Sequence, residues 1–500
     1  MSKPFDYWLK KNKYYHYRLK KFFNFVVPDN SKILVINCKN GYLLESLNPA
    51  IGVGIDDDEQ ALQIARKRYP QYRFYSGNRD SKHPEPTCKL NSENFSKCLK
   101  SKILTGLNKI PQGETFDYII LPSVTMEAED IQELFNNLQR FSHPSTRIVI
   151  DTYSYFWEPV LKITQILGMR RPTNLKNWIS RNDMNNFLYL SGFEPVTHGY
   201  RMLIPLHIPL ISTFFNSFLA HIPIIQRLCL HEWIVARPVF APNGASSGRP
   251  VFPSRQEERD KNYSVSVIVP CKNEKGNVEK AVTLCPTMGK NTEIIFVEGG
   301  SKDGTFEEIK RVAQKYPEKN ISFYKQESAG KGDAVRKGFS KATGDILMIL
   351  DADLTTPPQE LPKFFDALVT GKGEFINGSR LVYGMESNAM RPIAILANFC
   401  FGLLLRWIIG QKIKDSLCGT KVLFKSNYEK IAKNRHIFGD HDPFGDFDLI
   451  FGAAKLNLKI VDMPVHYKDR TYGQTQINRF KHFWFLLFMS IIAWRKFKLR

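Results

Sequence analysis

Short, continuous apolar runs separated by helix-period stretches recur along most of the chain. In the first half, Lys32–Ile36, Ile51–Ile55, Tyr118–Leu121 and Arg147–Ile150 read as strands buried on both faces, because their apolar positions run on rather than alternate. Residues 80–113 interrupt this series with polar sequence and predict a loop-rich excursion. From Met202 to Leu230 the chain turns apolar, but Pro205, Pro209 and Pro223 exclude a single helix. With Phe214, Phe215 and Phe218, that stretch is expected to be either a membrane contact or a helical cap. A strand at Glu232–Ala236 closes the first half. Residues 241–262 are rich in Pro, Gly, Ser and charge and carry almost no periodicity, which marks a linker. Strand-like runs resume at Val265–Val269, Glu293–Val297, Ser322–Tyr324 and Ile346–Leu350, with an amphipathic helical stretch at Phe306–Tyr316. Strands alternating with helices predict mostly parallel sheets covered on both faces, in an α/β chain of two domains.

Composition narrows this further. The chain has 500 residues, 43% of them apolar and 24% charged, an ordinary globular balance that excludes collagen-like, coiled-coil and fully disordered classes. Seventy Lys and Arg against 49 Asp and Glu give a net charge of +21, which calls for a polyanionic partner, either nucleic acid or an anionic membrane. The eight Cys form no C-x-x-C pair, so neither a zinc ribbon nor a disulfide framework is expected. Residues 1–30 are basic and aromatic and lack the apolar core of a signal peptide. No stretch reaches the roughly 20 apolar residues that a membrane span needs.

The chemistry converges on loops that follow the strands of the second half. Asp351-Ala352-Asp353 comes directly after the apolar run ILMIL, so two carboxylates stand at the carboxyl end of a buried strand, where open α/β sheets bind ligands. Such a pair can share one hard divalent cation, Mg²⁺ or Mn²⁺, with substrate phosphate oxygens. Three more loops fall on the same side: Val269–Glu274, Val297–Thr305 and Gly378-Ser379-Arg380. A fourth, glycine-rich, opens a helix at Ala329–Arg336. Glycines there let backbone approach a ligand closely.

With these motifs in place, residues 263–500 resemble a family-2 glycosyltransferase of the GT-A fold, of the polyisoprenyl-phosphate (dolichyl-phosphate mannose and glucose synthase) type. The resemblance implies that Pro270, Asn273 and Glu274 border the nucleotide, that Glu298 holds the nucleoside, and that Asp351 and Asp353 bind the metal on the sugar nucleotide. It places Lys331 and Arg336 in a basic loop near the nucleotide. Two positions depart from the family pattern: Glu298-Gly299-Gly300-Ser301 replaces Asp-Asp-Gly-Ser, and Thr355 stands where some members have a Gln metal ligand. Asp415–Lys421 resembles the family's Asp-x-x-Cys-Gly-x-Lys segment, and Asp448 in Gly445-Asp446-Phe447-Asp448 matches a catalytic carboxylate near the acceptor. A sugar hydroxyl acceptor would need such a base. A lipid phosphate needs cations instead, for which Arg380, Arg391 and Arg479 are the candidates.

Two apolar segments direct the positive charge. Ile393–Ile409 contains Asn398 and Arg406, and Phe483–Trp494 is flanked by Arg479, Lys481, Arg495, Lys496, Lys498 and Arg500. Apolar surface with basic flanks predicts helices lying in a membrane interface, the alternative being buried core helices. Deletion of 479–500 is accordingly expected to release the chain from anionic vesicles more than it destabilises the fold. A nucleic-acid partner is not expected, since no recognised motif accompanies the charge.

The first half resembles a class I S-adenosylmethionine-dependent methyltransferase, a Rossmann-like fold. Gly41 ends its glycine loop and Asp56 ends the next strand, where the family binds the ribose; Val35, Asn37 and Lys39 replace the loop's acid and two of its glycines. The expected organisation is a basic segment 1–30, a methyltransferase-like domain 31–240, a linker 241–262, a GT-A domain 263–478 and an interfacial helix 479–500. The expected activity is metal-dependent, inverting transfer from a nucleotide-diphosphate sugar to a polyisoprenyl phosphate or related lipid-linked acceptor, at the cytoplasmic face of a membrane. The alternatives are a hydroxyl acceptor with Asp448 as base, and a bifunctional chain that also uses S-adenosylmethionine.

Overall fold

In this computed structural model, the apolar runs become the central strands of two seven-stranded sheets, one in each of two compact units. The structure describes residues 4–77, 102–173, 175–239, 262–328, 330–383, 392–437, 445–473 and 479–499. Unit one comprises residues 1–240 with short pieces of the linker and the last three residues, and unit two comprises essentially residues 251–497.

In unit one the strands are β1 Lys32–Ile36, β2 Ile51–Asp56, β3 Arg73–Ser76, β4 Phe116–Pro122, β5 Ser142–Tyr153, β6 Phe193–Arg201 and β7 His231–Pro238. They lie in the order β3-β2-β1-β4-β5-β7-β6. The first five are parallel, while β7 runs antiparallel to both β5 and β6. Chain order reverses between β1 and β4, and a doubly wound sheet opens its crevice at such a point. Apolar cores fill both faces, one around Ile119, Phe135 and Ile148, the other around Phe23, Val35 and Ile120.

Unit two contributes β8 Ser264–Cys271, β9 Asn291–Glu298, β10 Asn320–Lys325, β11 Ile346–Ile349, β12 Phe375–Ser379, β13 Lys421–Phe424 and β14 Ile460–Pro464, in the order β10-β9-β8-β11-β13-β12-β14. Only β13 is antiparallel to its neighbours. Consequently the loops after β8, β9, β10, β11, β12 and β14, and the loop before β13, all gather at one edge. The helix Thr305–Lys315 shows the local logic: Gly304, at φ +82°, turns the chain into it, and Ile309 and Val312 seat it on the sheet.

The two apolar segments form helices, Pro392–Ile409 and Arg479–Phe497, that pack against each other. Neither is purely interfacial. Phe401, Leu405 and Ile408 from the first, and Leu486, Met489 and Ala493 from the second, belong to the main core of unit two. Their other faces are apolar and exposed, with Leu396, Phe399 and Leu403 on one and Trp484, Phe488 and Ile491 on the other. Deleting residues 479–500 would therefore remove core side chains of unit two together with the exposed apolar face. Among the described residues, no helix is long and apolar enough to cross a membrane.

Candidate active site

Asp351 and Asp353 leave the carboxyl end of β11, and each carboxylate meets a different cation. Lys331 Nζ lies 2.5 Å from Asp351 Oδ1, and Arg470 Nη2 lies 2.5 Å from Asp353 Oδ2. Asp353 Oδ1 also accepts hydrogen bonds from the backbone N–H and hydroxyl of Thr355, so Thr355 orients this acid. Burial alone would raise the Asp351 pKa, but Lys331, Lys421 and Arg380 outweigh it and hold the group below the usual carboxylate range. Lys331 is raised in turn: burial opposes its charge, and Asp351 and Asp446 more than offset that. Gly419, in the loop before β13, brings its backbone against Asp351. A Cβ there would stand 2.1 Å from Oδ2, so only glycine fits.

Arg470 comes from the loop after β14 and also reaches Glu274 Oε1 at 3.3 Å, which ties the β8 and β11 loops together. Burial pushes the Glu274 pKa up to about 7, against the hydrogen bond from Asn277 and the charge of Arg470. Pro270 sits near the end of β8. Asn273, at φ +55°, donates its N–H to Ser301 and accepts from the Lys302 N–H, so it fastens the β8 loop to the β9 loop. Glu298 is buried, and its carboxylate accepts the Ser301 N–H; it shapes the loop expected to hold the nucleoside. Arg336 is half-buried on the helix Lys331–Lys341.

Of the residues expected to meet the acceptor, Arg380 makes a two-pronged ion pair with Asp415, at 2.7 and 2.9 Å, and lies over the Tyr467 ring. Asp415 is fully buried and also accepts from Asn398 of the helix Pro392–Ile409. Asp448 is held by Arg435 at 2.7 Å, and Asp446 pairs with the buried Lys421 at 2.9 Å. Arg391 lies outside the described residues, and the Arg479 side chain does as well. Sequence reasoning missed Arg470, Asp446 and the Asp448–Arg435 pair. For Arg470 the available signal was a basic residue just past the last strand of the sheet.

Comparisons with known proteins match part of the stretch that forms unit two. Residues 266–433 match the family model described as glycosyl transferase family 2. The dolichol-phosphate mannosyltransferase of Pyrococcus furiosus is 39% identical over 220 residues, 43% of this chain and 59% of that protein. The undecaprenyl-phosphate 4-deoxy-4-formamido-L-arabinose transferase of Edwardsiella ictaluri is 26% identical over 43% of this chain and 64% of its own length. The chain thus spans under two thirds of either relative. Among solved structures, glucosyl-3-phosphoglycerate synthase of Mycobacterium tuberculosis aligns at a TM-score of 0.35 and 16% identity, over 49% of this chain and 85% of its own.

In unit one the loop after β1 takes several left-handed turns. Asn37, Lys39 and Gly41 all have positive φ, at +67°, +55° and +76°. Asp56 is buried at the end of β2, where the Lys39 N–H donates to Oδ2 at 2.7 Å and the Lys39 ammonium stands 3.7 Å from the same oxygen. Burial raises the Asp56 pKa, with Lys39 opposing. Both oxygens of this acid are engaged, because Oδ1 accepts the Asp58 N–H.

Proposed function

We propose that unit two transfers a sugar from a nucleotide-diphosphate sugar to a polyisoprenyl phosphate or a related lipid phosphate, with inversion and with a divalent metal. The observation that carries this reading is the pair Asp351 and Asp353, each paired with a basic side chain, at the edge of the sheet where the strand-end loops gather. The family-model match and the lipid-phosphate relatives support the reaction class.

The donor set fits a metal that arrives with its substrate. Among the described residues no cluster of three or more His, Cys, Asp or Glu exists, so two acids would be completed by diphosphate oxygens. Asp351 and Asp353 would hold Mg²⁺ or Mn²⁺, which would neutralise charge on the departing diphosphate. Lys331 and Arg470, which pair with those carboxylates, would be the side chains nearest to add positive charge for the diphosphate. Preplaced cations of this kind stabilise leaving-group charge without reorganising solvent.

The acceptor is read as a phosphate because the relatives named for transfer to dolichol phosphate and undecaprenyl phosphate support that class. A phosphate oxygen needs no base, and Arg380 lies beside the helix Pro392–Ile409 through Asp415 and Asn398. The exposed apolar faces of that helix and of Arg479–Phe497 support an interfacial position for the lipid end. For unit one, the reversal of strand order at β1/β4 and the three left-handed residues of the loop after β1 support a methyltransferase-like fold. Lys39 over Asp56 supports a site that no longer takes S-adenosylmethionine. The experiment that tests the reading is a panel of nucleotide sugars, with and without Mn²⁺ or Mg²⁺, scored for hydrolysis and for lipid-extractable product.

A further inference from the structure

Unit one presents an apolar surface that its own fold leaves uncovered. Ile166, Leu210 and Ile224 are 84, 87 and 83% exposed, and Phe156, Leu167 and Phe214 stand more than half exposed near them in sequence. Single exposed aliphatics are ordinary on a folded surface, but six large apolar side chains exposed on two segments that meet call for a partner. The residues come from two segments that the structure joins. The helix Glu158–Ile166 and the turns before β7 meet where Trp157 Nε1 donates to the Leu228 carbonyl at 2.8 Å.

The charge around this face is mainly basic, the acids on its helices being Asp6, paired with Arg68, and Glu158, paired with Lys162. Lys11 donates to the Gly168 carbonyl at 2.7 Å, and Arg18 to the Asn216 carbonyl at 3.3 Å, so the N-terminal helices Phe5–Lys11 and Lys13–Val26 flank both segments. Lys10, Lys11, Lys13 and Lys21 on these helices are exposed. Residues 7–28, 159–182 and 195–231 contain no Asp or Glu. A second copy seated on this face through a two-fold axis would bring the same lysines together, at an electrostatic cost. An anionic lipid surface instead offers headgroups to the lysines and acyl chains to the aliphatics.

We propose that this face of unit one lies in the headgroup layer of an anionic membrane, with Ile166, Leu210 and Ile224 reaching the acyl boundary. It is a docking surface of its own, carried by segments distinct from the helix Arg479–Phe497, and it does not depend on the glycosyl-transfer reading. The test uses the full chain with Cys88, Cys98 and Cys400 replaced by Ser and a polarity-sensitive fluorophore attached through Leu210→Cys. Asn136→Cys, on the acid-bearing helix Ile131–Leu138, is the control. With vesicles of phosphatidylcholine and phosphatidylglycerol, the label at 210 should shift to the blue and be quenched by brominated acyl chains, while the label at 136 does neither. The triple variant Ile166→Ser, Leu210→Ser, Ile224→Ser should bind these vesicles about ten-fold or more weakly with an unchanged melting temperature, since the three side chains are exposed. Three results would each overturn the proposal. The label at 210 could stay in water on a vesicle-bound chain. The triple variant could bind as the parent does. Or the triple variant could turn a dimer into a monomer without changing vesicle binding, which would assign the face to a second copy.

Discussion

Asp353 is the cleanest residue at which to test the chemistry, because it is partly exposed and its partner Arg470 keeps Glu274 when Asp353 is changed. Asp353→Asn should abolish metal-dependent nucleotide binding, read by calorimetry with and without Mn²⁺, and should leave the melting temperature nearly unchanged. Arg380 is different. Its removal strands the buried Asp415 carboxylate, so Arg380→Ala should cost about 3–5 kcal/mol in urea unfolding, beyond any loss of activity. A ranking of arginine against Asp448 variants must be normalised for folded protein. With that correction, Asp448→Asn should lose much less activity than Arg380→Ala. Near-complete loss in the folded Asp448→Asn protein would restore the hydroxyl-acceptor reading. Glu274 adds a pH dependence. Its folded pKa, about 7, lies above the ordinary 4.5, so between these values the folded chain keeps a proton that the unfolded chain has lost. This group's contribution therefore weakens stability as pH rises through that window, and Glu274→Gln should flatten the slope of unfolding free energy between about pH 5 and pH 8. Asp351 and Asp353 were legible in the sequence because a strand delivers them directly. Arg470 was not, since 117 residues separate it from the acid it meets.

At the scale of elements, strands buried on both faces announced themselves. β1 and β11 are nearly continuous apolar runs and β8 is broken only by Ser266, and the structure places all three in the middle of a sheet. Strands such as β3, RFYS, and β6, FEPVTHGYR, carry too many half-exposed positions to stand out from loops. The helices Pro392–Ile409 and Arg479–Phe497 show why core and membrane readings competed: each is apolar on two sides, one facing the core and one facing solvent. The two roles separate by face. Met489→Ala should lower stability by about 2–5 kcal/mol, as large-to-small changes in a packed core do. A Trp484→Gln, Phe488→Gln variant should retain its stability and bind anionic vesicles several-fold more weakly, read by flotation. If Phe488 and Trp484 can be changed with no effect on vesicle binding, the exposed face of this helix is not a lipid contact.

For the whole molecule, the division at the linker could be read from composition, because residues 241–262 combine Pro, Gly, Ser and charge without periodicity. The state of the unit-one crevice could not. The sequence shows Asn37 and Lys39 in this loop, but only the structure shows that both take left-handed backbone and that the Lys39 ammonium stands 3.7 Å from Asp56. The central claim is that the Asp351–Asp353 edge of unit two drives metal-dependent sugar transfer to a lipid phosphate. It is tested most directly by incubating the purified chain with radiolabelled nucleotide sugars, a short-chain polyprenyl phosphate and Mn²⁺ or Mg²⁺, and counting organic-extractable label. The account predicts label in the lipid phase for one nucleotide sugar, lost with EDTA and lost in Asp353→Asn. Lipid product formed equally well in EDTA, or transfer only to sugar hydroxyl acceptors when both kinds are offered, would contradict it.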